Sequence, residues 1–152
     1  MNETAHGSSE KPGKGPAAMD LTTSQRMLPL VARIVRDIVA DRQELQRLLP
    51  EQGRLDRQKR ALDWNDRFRR YAIQAEIQGC ENHLHEATEE LGRLGLVLED
   101  EINGQVGFPT VVYGRTAYFS WRLGEEVIEY WHFSKESLRR SVPANWSKSA
   151  KN

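Results

Sequence analysis

The chain has 152 residues, of which 38% are hydrophobic and 29% are charged, with 22 basic and 22 acidic residues. One domain of ordinary size fits this length. A net charge of zero provides no overall attraction to nucleic acid or to an anionic membrane, and no apolar run approaches the roughly 18 residues that a membrane span needs. We therefore expect a cytoplasmic protein without membrane contact. The single cysteine, Cys80, suits a reducing compartment because it cannot form an internal disulfide.

The two ends of the chain lack the patterning of a folded domain. Residues 1–20 are rich in glycine, serine, proline and lysine and show no hydrophobic periodicity. Such a segment buries too little apolar surface to offset the entropy of ordering it, so we predict a disordered N-terminal tail. Residues 144–152 are predicted to form a polar C-terminal tail. A single α+β domain is expected between them, over residues 21–143.

A long first helix is predicted over about residues 22–49. Thr22, Thr23 or Ser24 is expected to cap its N-terminus. Pro29 should kink the helix or mark its true start, and the segment from Pro50 to Gly53 should end it. The apolar residues recur at spacings of three and four, which predicts packing along a partner helix: Met27, Val31, Ile34, Ile38, Leu45 and Leu48.

A second helix is predicted over about residues 66–94, capped by Asp63 or Asn65. The basic segment before it, 54–65, is either a loop or the first turns of this helix. An unbroken series at spacings of three and four predicts that the two helices form an antiparallel hairpin: Ile73, Ile77, Cys80, Leu84, Ala87, Leu91 and Leu94. Arginines of the first helix would then lie beside glutamates in the second half of the next.

The periodicity changes to that of strands over about residues 96–133. Short connections predict an antiparallel meander of three or four strands packed on the helical hairpin. Pro109 should lie at an edge or a bulge of the second strand. Gly114 and Arg115 are expected at the centre of a hairpin turn, with the glycine first. The predicted strands are 96–98, 106–113, 115–122 and 127–133.

The turn between the last two predicted strands decides which side chains share a face. If two residues form that turn, six side chains lie on the face that covers the helices: Ala117, Phe119, Trp121, Ile128, Tyr130 and His132. A three-residue loop would shift the pairing and cancel this assignment.

Several short motifs resemble one known family. The motifs are Leu28-Pro29, Gly104-Gln105-Val106-Gly107-Phe108-Pro109, Gly114-Arg115, Trp121-Arg122-Leu123-Gly124-Glu125 and Tyr130-Trp131-His132. They resemble the bacterial proteins grouped as domain of unknown function 2203, of which this chain looks like a divergent member. The resemblance covers about residues 21–143. It implies no activity, because the family has none assigned.

Three departures from the family pattern affect polar side chains. The family typically has aspartate before Phe-Pro, where this chain has Gly107, and cysteine before the tryptophan, where it has Ser120. Its final motif typically has an arginine where this chain has Ser141. Any chemistry that rests on those side chains is therefore lost or relocated here.

The best candidate for a ligand site lies around the last two predicted strands. An arginine, two carboxylates and a histidine among aromatic rings could bind an anionic or amphipathic ligand. For acid–base work, Glu125 and His132 are the candidates. The favoured interpretation is nevertheless structural, as cross-strand ion pairs and a hydrogen-bonded histidine, so we assign no catalytic residue and no cofactor. The candidate ligand-binding residues are Trp121, Arg122, Glu125, Glu129, Trp131 and His132.

Other reactive side chains favour ordinary structural roles. Glu81 and His85 have the spacing of helical metal ligands, with Glu86 beside them, but no third ligand is evident. His83 and His85 are two residues apart and point in different directions. We therefore predict no metal site, and we expect Cys80 to act as a small core residue.

Aromatic residues interleave the basic run from Arg54 to Arg70, which has seven Lys or Arg against three Asp. Trp64, Phe68 and Tyr71 beside basic side chains could bind single-stranded nucleic acid by stacking and phosphate contact. Helix aromatics at this spacing are more often part of a core, and that is the interpretation we favour.

The favoured function is a non-enzymatic interaction or self-association module. Its helical hairpin or sheet edge would bind a second copy, as a homodimer, or an unidentified protein. The alternative is a small-ligand or hydrolase-like site around Arg122, Glu125 and His132, which requires a concave pocket where these side chains converge. The second alternative is nucleic-acid binding by the basic 54–70 segment.

Overall fold

The computed structural model describes residues 18–146, in which two helices precede five strands. Helix α1 spans Leu21–Arg57 and α2 spans Trp64–Arg93. One antiparallel sheet contains, in chain order, β1 (Val97–Asp100), β2 (Gln105–Val112), β3 (Arg115–Arg122), β4 (Tyr130–Phe133) and β5 (Arg140–Ser141). The predicted α+β class, helical hairpin and meander are confirmed, with a fifth strand that the sequence did not reveal. Most of both predicted tails, residues 1–17 and 147–152, lies outside the described residues.

The ordered chain begins before the predicted start of the first helix. The backbone NH of Met19 donates to the carbonyl of Pro109 at 2.7 Å, which ties this segment to the sheet. Asp20 caps α1, because its side chain accepts from the backbone NH of Thr23 at 2.7 Å. The prediction of a disordered tail is therefore wrong for Met19 and Asp20. The helix cap is this aspartate rather than one of the three hydroxyl residues that follow it.

Helix α1 continues through both of its prolines. Pro29 lies within the helix, and Pro50 does not end it, because the helix runs on to Arg57. Beyond Pro50, the side chain of Leu55 is fully buried between the helices. This burial offsets the backbone hydrogen bond that a proline removes, since packing of an apolar face contributes more to helix stability than local propensity does.

Helix α2 begins and ends at recognisable capping residues. Asp63 accepts from the backbone NH of Asp66 at 2.8 Å, which confirms one of the two predicted caps. At the other end, Gly95 has a φ of 88°. The backbone NH of Leu96 reaches the carbonyl of Leu91 at 3.0 Å, as in a Schellman motif. Within residues 18–146, no helix is both long and apolar enough to cross a membrane.

Ion pairs between the helices involve a different set of charges from the predicted one. Arg69 of α2 contacts Glu51 of α1 at 3.1 Å, and Arg70 contacts Asp56 at 2.7 Å. The arginines thus come from α2 and the carboxylates from α1, the reverse of the expected arrangement. These pairs lie beside the buried end of the hairpin and hold the two helices in register there.

The core is divided into two clusters along α1. The N-terminal half of α1 packs on the sheet, whereas its C-terminal half packs on α2. The cluster between the helices contains Leu45, Leu48, Leu55, Leu62, Ile73 and Ile77. The sheet covers α1 with alternate residues of its strands, here called the core face: Val106, Phe108, Ala117, Phe119, Trp121, Trp131 and Phe133.

The connection before β4 overturns the predicted face assignment. Phe119 pairs with Trp131, and Tyr118 pairs with His132, so residues of equal parity share a face. The connection is seven residues long, 123–129. Within it, Ile128 lies outside the sheet and is buried in the core beside α1. Tyr130 and His132 therefore lie on the opposite face from the one predicted.

Two further details correct or confirm the strand predictions. The central residues of the first long hairpin are Tyr113 and Gly114, with φ of 53° and 75°, rather than Gly114 and Arg115. Two positive φ values are typical of a type I′ turn. Pro109 lies beyond the last β2 residue that pairs with β1, which confirms its predicted edge position.

The C-terminal segment is ordered past the predicted boundary at residue 144. Trp146 packs on the core face, with its ring centroid 6.2 Å from that of Phe119 and 5.4 Å from that of Trp131. The prediction of a polar tail is therefore wrong as far as Trp146.

Replacement of Leu55 tests whether the last turns of α1 belong to the cooperative core. We expect Leu55→Ala to lower the free energy of unfolding by about 2–5 kcal/mol, because it opens a cavity beyond the helix prolines. Leu49→Ala is the matched control, since Leu49 is exposed on the same helix, and should change stability by only about 0.5 kcal/mol. Urea unfolding followed by far-UV circular dichroism measures both. Equal losses would contradict this account of α1.

Candidate functional site

Polar side chains gather on the face of the sheet opposite to the core face. This outer face is formed by the residues that alternate with those packed on α1. At its centre, Gly107 pairs with Ser120, and both are buried. The outer face includes Gln105, Gly107, Tyr118, Ser120, Arg122, Tyr130 and His132.

His132 is held on both sides of its ring. Its Nε2 lies 2.8 Å from a carboxylate oxygen of Glu99, and its Nδ1 lies 2.8 Å from the carbonyl oxygen of Phe133. A carbonyl can only accept, so Nδ1 carries a hydrogen in this arrangement. The side chain of His132 is 8% exposed. Because both ring nitrogens have partners, neither is available to take a proton from a substrate or from Ser120 without breaking a bond.

Glu99 and Arg122 are linked through Gln105. The amide nitrogen of Gln105 donates to Glu99 at 2.8 Å. Its amide oxygen accepts from Nη2 of Arg122 at 2.7 Å and from Nε at 3.2 Å. Arg122 therefore binds a neutral amide, rather than the cross-strand carboxylate that the sequence suggested.

Glu125 binds Arg139, a residue that the sequence did not single out as part of the site. Both Nη atoms of Arg139 donate to the carboxylate at 2.9 Å, and its Nε donates to the hydroxyl of Ser120, also at 2.9 Å. Burial raises the pKa of Glu125, but the hydrogen bonds from Arg139 and from the backbone NH of Arg122 outweigh it, so the pKa lies below its usual value. The guanidinium also lies 4.4 Å from the ring centre of Tyr130.

The remaining candidate residues lie elsewhere. Trp121 and Trp131 are buried on the core face, although the indole NH of Trp121 donates to the carbonyl of Glu125 at 2.8 Å. Glu129 is exposed, and its backbone carbonyl accepts from Val142. Arg122 is thus linked to His132 through Gln105 and Glu99, and its backbone NH donates to Glu125 at 2.8 Å, but the three side chains do not converge.

A cavity near this region does not gather the proposed polar residues. It has a volume of about 310 Å³ and is lined by Trp121 and Glu125 together with residues of α1. Arg122 and His132 do not line it. A convergent pocket, which the hydrolase-like alternative requires, is therefore not seen at these side chains in the described residues.

Glu99 occupies the space that a side chain at position 107 would fill. A Cβ atom added to Gly107 would lie 2.5 Å from Oε2 of Glu99, the same oxygen that contacts His132. The resemblance described above implies an aspartate at position 107. In this chain the carboxylate beside Gly107 comes from Glu99 of β1.

Two residues of this region, Glu99 and Arg139, were not predicted from the sequence, for the same reason. Glu99 and Arg139 lie on strand β1 and on the segment before β5, and both reach the outer face only through strand pairing. The one usable signal was the absence of a side chain at Gly107 in the middle of a strand, which indicates that another group approaches closely there.

The other candidate side chains behave as ordinary surface or core groups. Cys80 is partly buried against the cluster between the helices, and burial raises the pKa of its thiol. His85 lies 3.3 Å from Glu89 on the exposed side of α2. Among residues 18–146, no group of three or more His, Cys, Asp or Glu is arranged to hold a metal ion.

The aromatic residues at the start of α2 are exposed, which contradicts the core interpretation. Trp64, Phe68 and Tyr71, here called the aromatic triad, are 72%, 68% and 66% exposed. The rings of Trp64 and Phe68 stack with centroids 5.9 Å apart. At 100° per residue, the triad lies about half a turn away from the buried Ile73 and Ile77, and so it points away from α1.

The basic residues around the triad are only partly available. Arg69 and Arg70 bind carboxylates of α1, and Nε of Arg67 donates to the carbonyl of Leu62 at 3.3 Å. The triad therefore presents large apolar rings with few uncommitted positive charges beside them.

Comparison with protein families gives one match. The family model described as an uncharacterized conserved protein, DUF2203, matches residues 18–140. This range covers both helices, the long strands of the sheet and Arg139. Comparison with curated proteins and with solved structures gives no match.

Transferring the carboxylate beside His132 from position 99 on β1 to position 107 on β2 tests whether the two positions share one space. Glu99→Ala should lower the free energy of unfolding by about 1–3 kcal/mol, because a buried ring nitrogen loses its partner. Gly107→Asp alone should also destabilise, since two carboxylates would compete for one space. The double variant returns one carboxylate to that space, and we expect it to be more stable than either single variant.

Urea unfolding at neutral pH measures all three variants, with Glu126→Ala on the exposed loop as the control. If the losses of the two single variants simply add in the double variant, the carboxylates do not share one position.

Proposed function

We propose that this chain, which belongs to the DUF2203 family, is a non-enzymatic interaction module that binds a protein partner through the aromatic triad of α2. The observation that carries this proposal is the exposure of Trp64, Phe68 and Tyr71, each about two-thirds or more accessible to solvent. Single exposed apolar residues are common on proteins, but three adjacent aromatic rings on one helix face are typical of interaction surfaces.

Aromatic side chains supply much of the binding energy at protein interfaces. Tyrosine and tryptophan are enriched at the positions where truncation weakens binding most, because they bury a large area at a small entropic penalty. In this chain the rings of Trp64 and Phe68 already stack on one another. A partner would therefore meet a surface that is partly ordered before binding.

Helix α2, which carries the triad, is fixed to α1 by buried side chains and by an ion pair. On the opposite side of α2, Ile73 and Ile77 are buried against α1. Arg69 is tied both to Glu51 of α1 and to Glu76 of α2. These contacts favour a binding role for α2, because a helix that is already held in place loses little conformational freedom when a partner binds.

The polar groups of the sheet support a structural role for the network at His132 and Glu125. Both nitrogens of the imidazole and both oxygens of the carboxylate already bind protein groups. A ligand or a substrate would have to displace these bonds, several of them partly buried. This favours the interaction module over the small-ligand or hydrolase-like alternative.

Nucleic-acid binding receives less support than its sequence pattern suggested. The exposed rings fit base stacking, but Arg69 and Arg70 are engaged by carboxylates. The chain as a whole has a net charge of zero, so phosphate contacts would lack the long-range attraction that usually dominates such binding.

Photo-crosslinking inside the host cells tests the proposed surface. A benzophenone amino acid at Phe68 should give a discrete crosslinked band, because the triad would contact the partner there. The same group at Tyr113, which is 84% exposed on the far hairpin of the sheet, is the matched control and should give none. If position 68 gives no band, or if both positions give the same bands, the proposed surface is wrong.

A further inference from the structure

We infer that Glu99 and His132, here called the clamp, form a pH-sensitive link in which one shared hydrogen holds the edge strand β1 to β4 across the outer face of the sheet. The clamp lies away from the aromatic triad, so this inference does not depend on the proposed function. It follows from the hydrogen-bond partners of the imidazole, from the burial of the pair and from the shape of the sheet beneath it.

The ring of His132 faces two groups that accept hydrogen bonds. Its Nδ1 lies 2.8 Å from the carbonyl oxygen of Phe133, and its Nε2 lies 2.8 Å from Oε2 of Glu99. A neutral imidazole has a hydrogen on only one of its nitrogens, so the other nitrogen would face an acceptor with its lone pair. Both contacts are hydrogen bonds only if the pair holds one further hydrogen, either on the ring or on the carboxyl group.

The second oxygen of Glu99 is already occupied, which places the further hydrogen next to the ring. The amide oxygen of Gln105 accepts from Arg122, so its amide nitrogen faces Glu99 and donates to Oε1 at 2.8 Å. The carboxyl group cannot turn away from His132 without losing this bond. The hydrogen of the clamp therefore lies between Oε2 and Nε2.

The clamp is buried, so water has little access to it. The side chains of His132 and Glu99 are 8% and 16% exposed. A nitrogen and a carboxylate oxygen that face each other without a hydrogen repel one another, and this repulsion is stronger where water does not reach. Burial therefore favours the state of the clamp that keeps its hydrogen.

The clamp joins two strands that are not neighbours in the sheet, since β2 and β3 lie between β1 and β4. Glu99 is an extra residue in the ladder of β1 on β2, between Leu98 and Asp100, as in a β-bulge that redirects a side chain. The glycine at position 107 leaves room for its carboxyl group over β2. Only three residues of β1 pair with β2, so the clamp gives this short edge strand a second attachment.

The other ionisable groups near the clamp are neutral or have partners of their own. The ring of Tyr118, which pairs with His132 from β3, lies 5.7 Å from the imidazole. The amide of Gln105 separates Arg122 from Glu99. Within residues 18–146, neither helix forms a hydrogen bond or an ion pair with the clamp. The charged groups nearby are paired as follows: Asp100 with Asn103, Glu101 with Arg42, Glu125 with Arg139 and Glu136 with Arg140.

The hydrogen of the clamp links the stability of the sheet to pH. An unfolded histidine binds a proton only below about pH 6.5, and an unfolded glutamate only below about pH 4.3. Between these values the unfolded chain carries the same single hydrogen as the clamp. Above about pH 6.5 the unfolded chain releases it and the clamp keeps it, so folding takes up one proton and stability falls as the pH rises. The second attachment of β1 is thus weakened on the alkaline side.

The variant Glu99→Gln tests this link, because an amide gives its own hydrogen to Nε2 and still offers an oxygen to Gln105. The contact with His132 then needs no proton. In urea unfolding of the full chain between about pH 6 and pH 9, the unfolding equilibrium constant of the wild type should rise by up to about tenfold per pH unit relative to that of the variant. Glu126→Gln removes the same charge from an exposed loop residue and should keep the pH dependence of the wild type.

NMR of the wild-type chain locates the hydrogen directly. At about pH 8, where an ordinary histidine and an ordinary glutamate have both lost their protons, the nitrogen-15 shifts of His132 and the carbon-13 shift of the Glu99 carboxyl group should show that one of the two groups is still protonated. This measurement needs no substitution, so it decides the question even if Glu99→Gln does not fold.

Two results would overturn the inference. One is a folded wild-type chain at that pH in which a neutral ring of His132 lies beside an ionised Glu99. The other is a pH dependence of unfolding that is the same in the wild type and in Glu99→Gln, which would assign it to groups outside the clamp.

Discussion

The structure depends on helix α1, whose two halves are buried against different neighbours. The first half of α1 supplies Val31, Val35 and Ile38 to the core under the sheet, and its second half supplies Leu48 and Leu55 to the core between the helices. Because a helix can bury only part of its circumference against one neighbour, α1 divides the molecule into a sheet end and a hairpin end. Each end then leaves one surface without a partner: the outer face of the sheet and the face of α2 that carries the aromatic triad.

These two surfaces differ in whether their side chains find partners within the chain. On the sheet, Glu99 binds His132 and Glu125 binds Arg139, so these polar groups find partners within the chain, as stable folds require. On α2, exposed aromatic rings remain in water, although their burial would release free energy. Function is therefore proposed for α2, where the structure leaves favourable interactions unmade, and stability is assigned to the network on the sheet.

Local signals predicted the elements, whereas non-local packing decided their ends and faces. The apolar series of α2 and the cap at Asp63 could be predicted from the sequence, because each depends on residues a few positions apart. The continuation of α1 past Pro50 was not readable, because Leu55 is buried by residues that come later in the chain. The partner of His132 was hidden for the same reason, since it required the register of β1 on β2 and a seven-residue connection before β4. The exposure of the aromatic triad was missed because periodicity identifies a shared face but not what covers it.

The measurement that most directly tests the central claim uses the four tryptophans as separate reporters. Trp64 is 72% exposed, whereas Trp121 and Trp131 are buried in the core and Trp146 packs on the sheet. Fluorine NMR of protein that contains 5-fluorotryptophan would compare all four signals in the purified chain and inside the host cells. If α2 carries the interaction surface, the Trp64 signal shifts inside the cells and the other three stay in place. A comparison in which the Trp121 or Trp131 signals move instead, or in which none moves, would contradict the account.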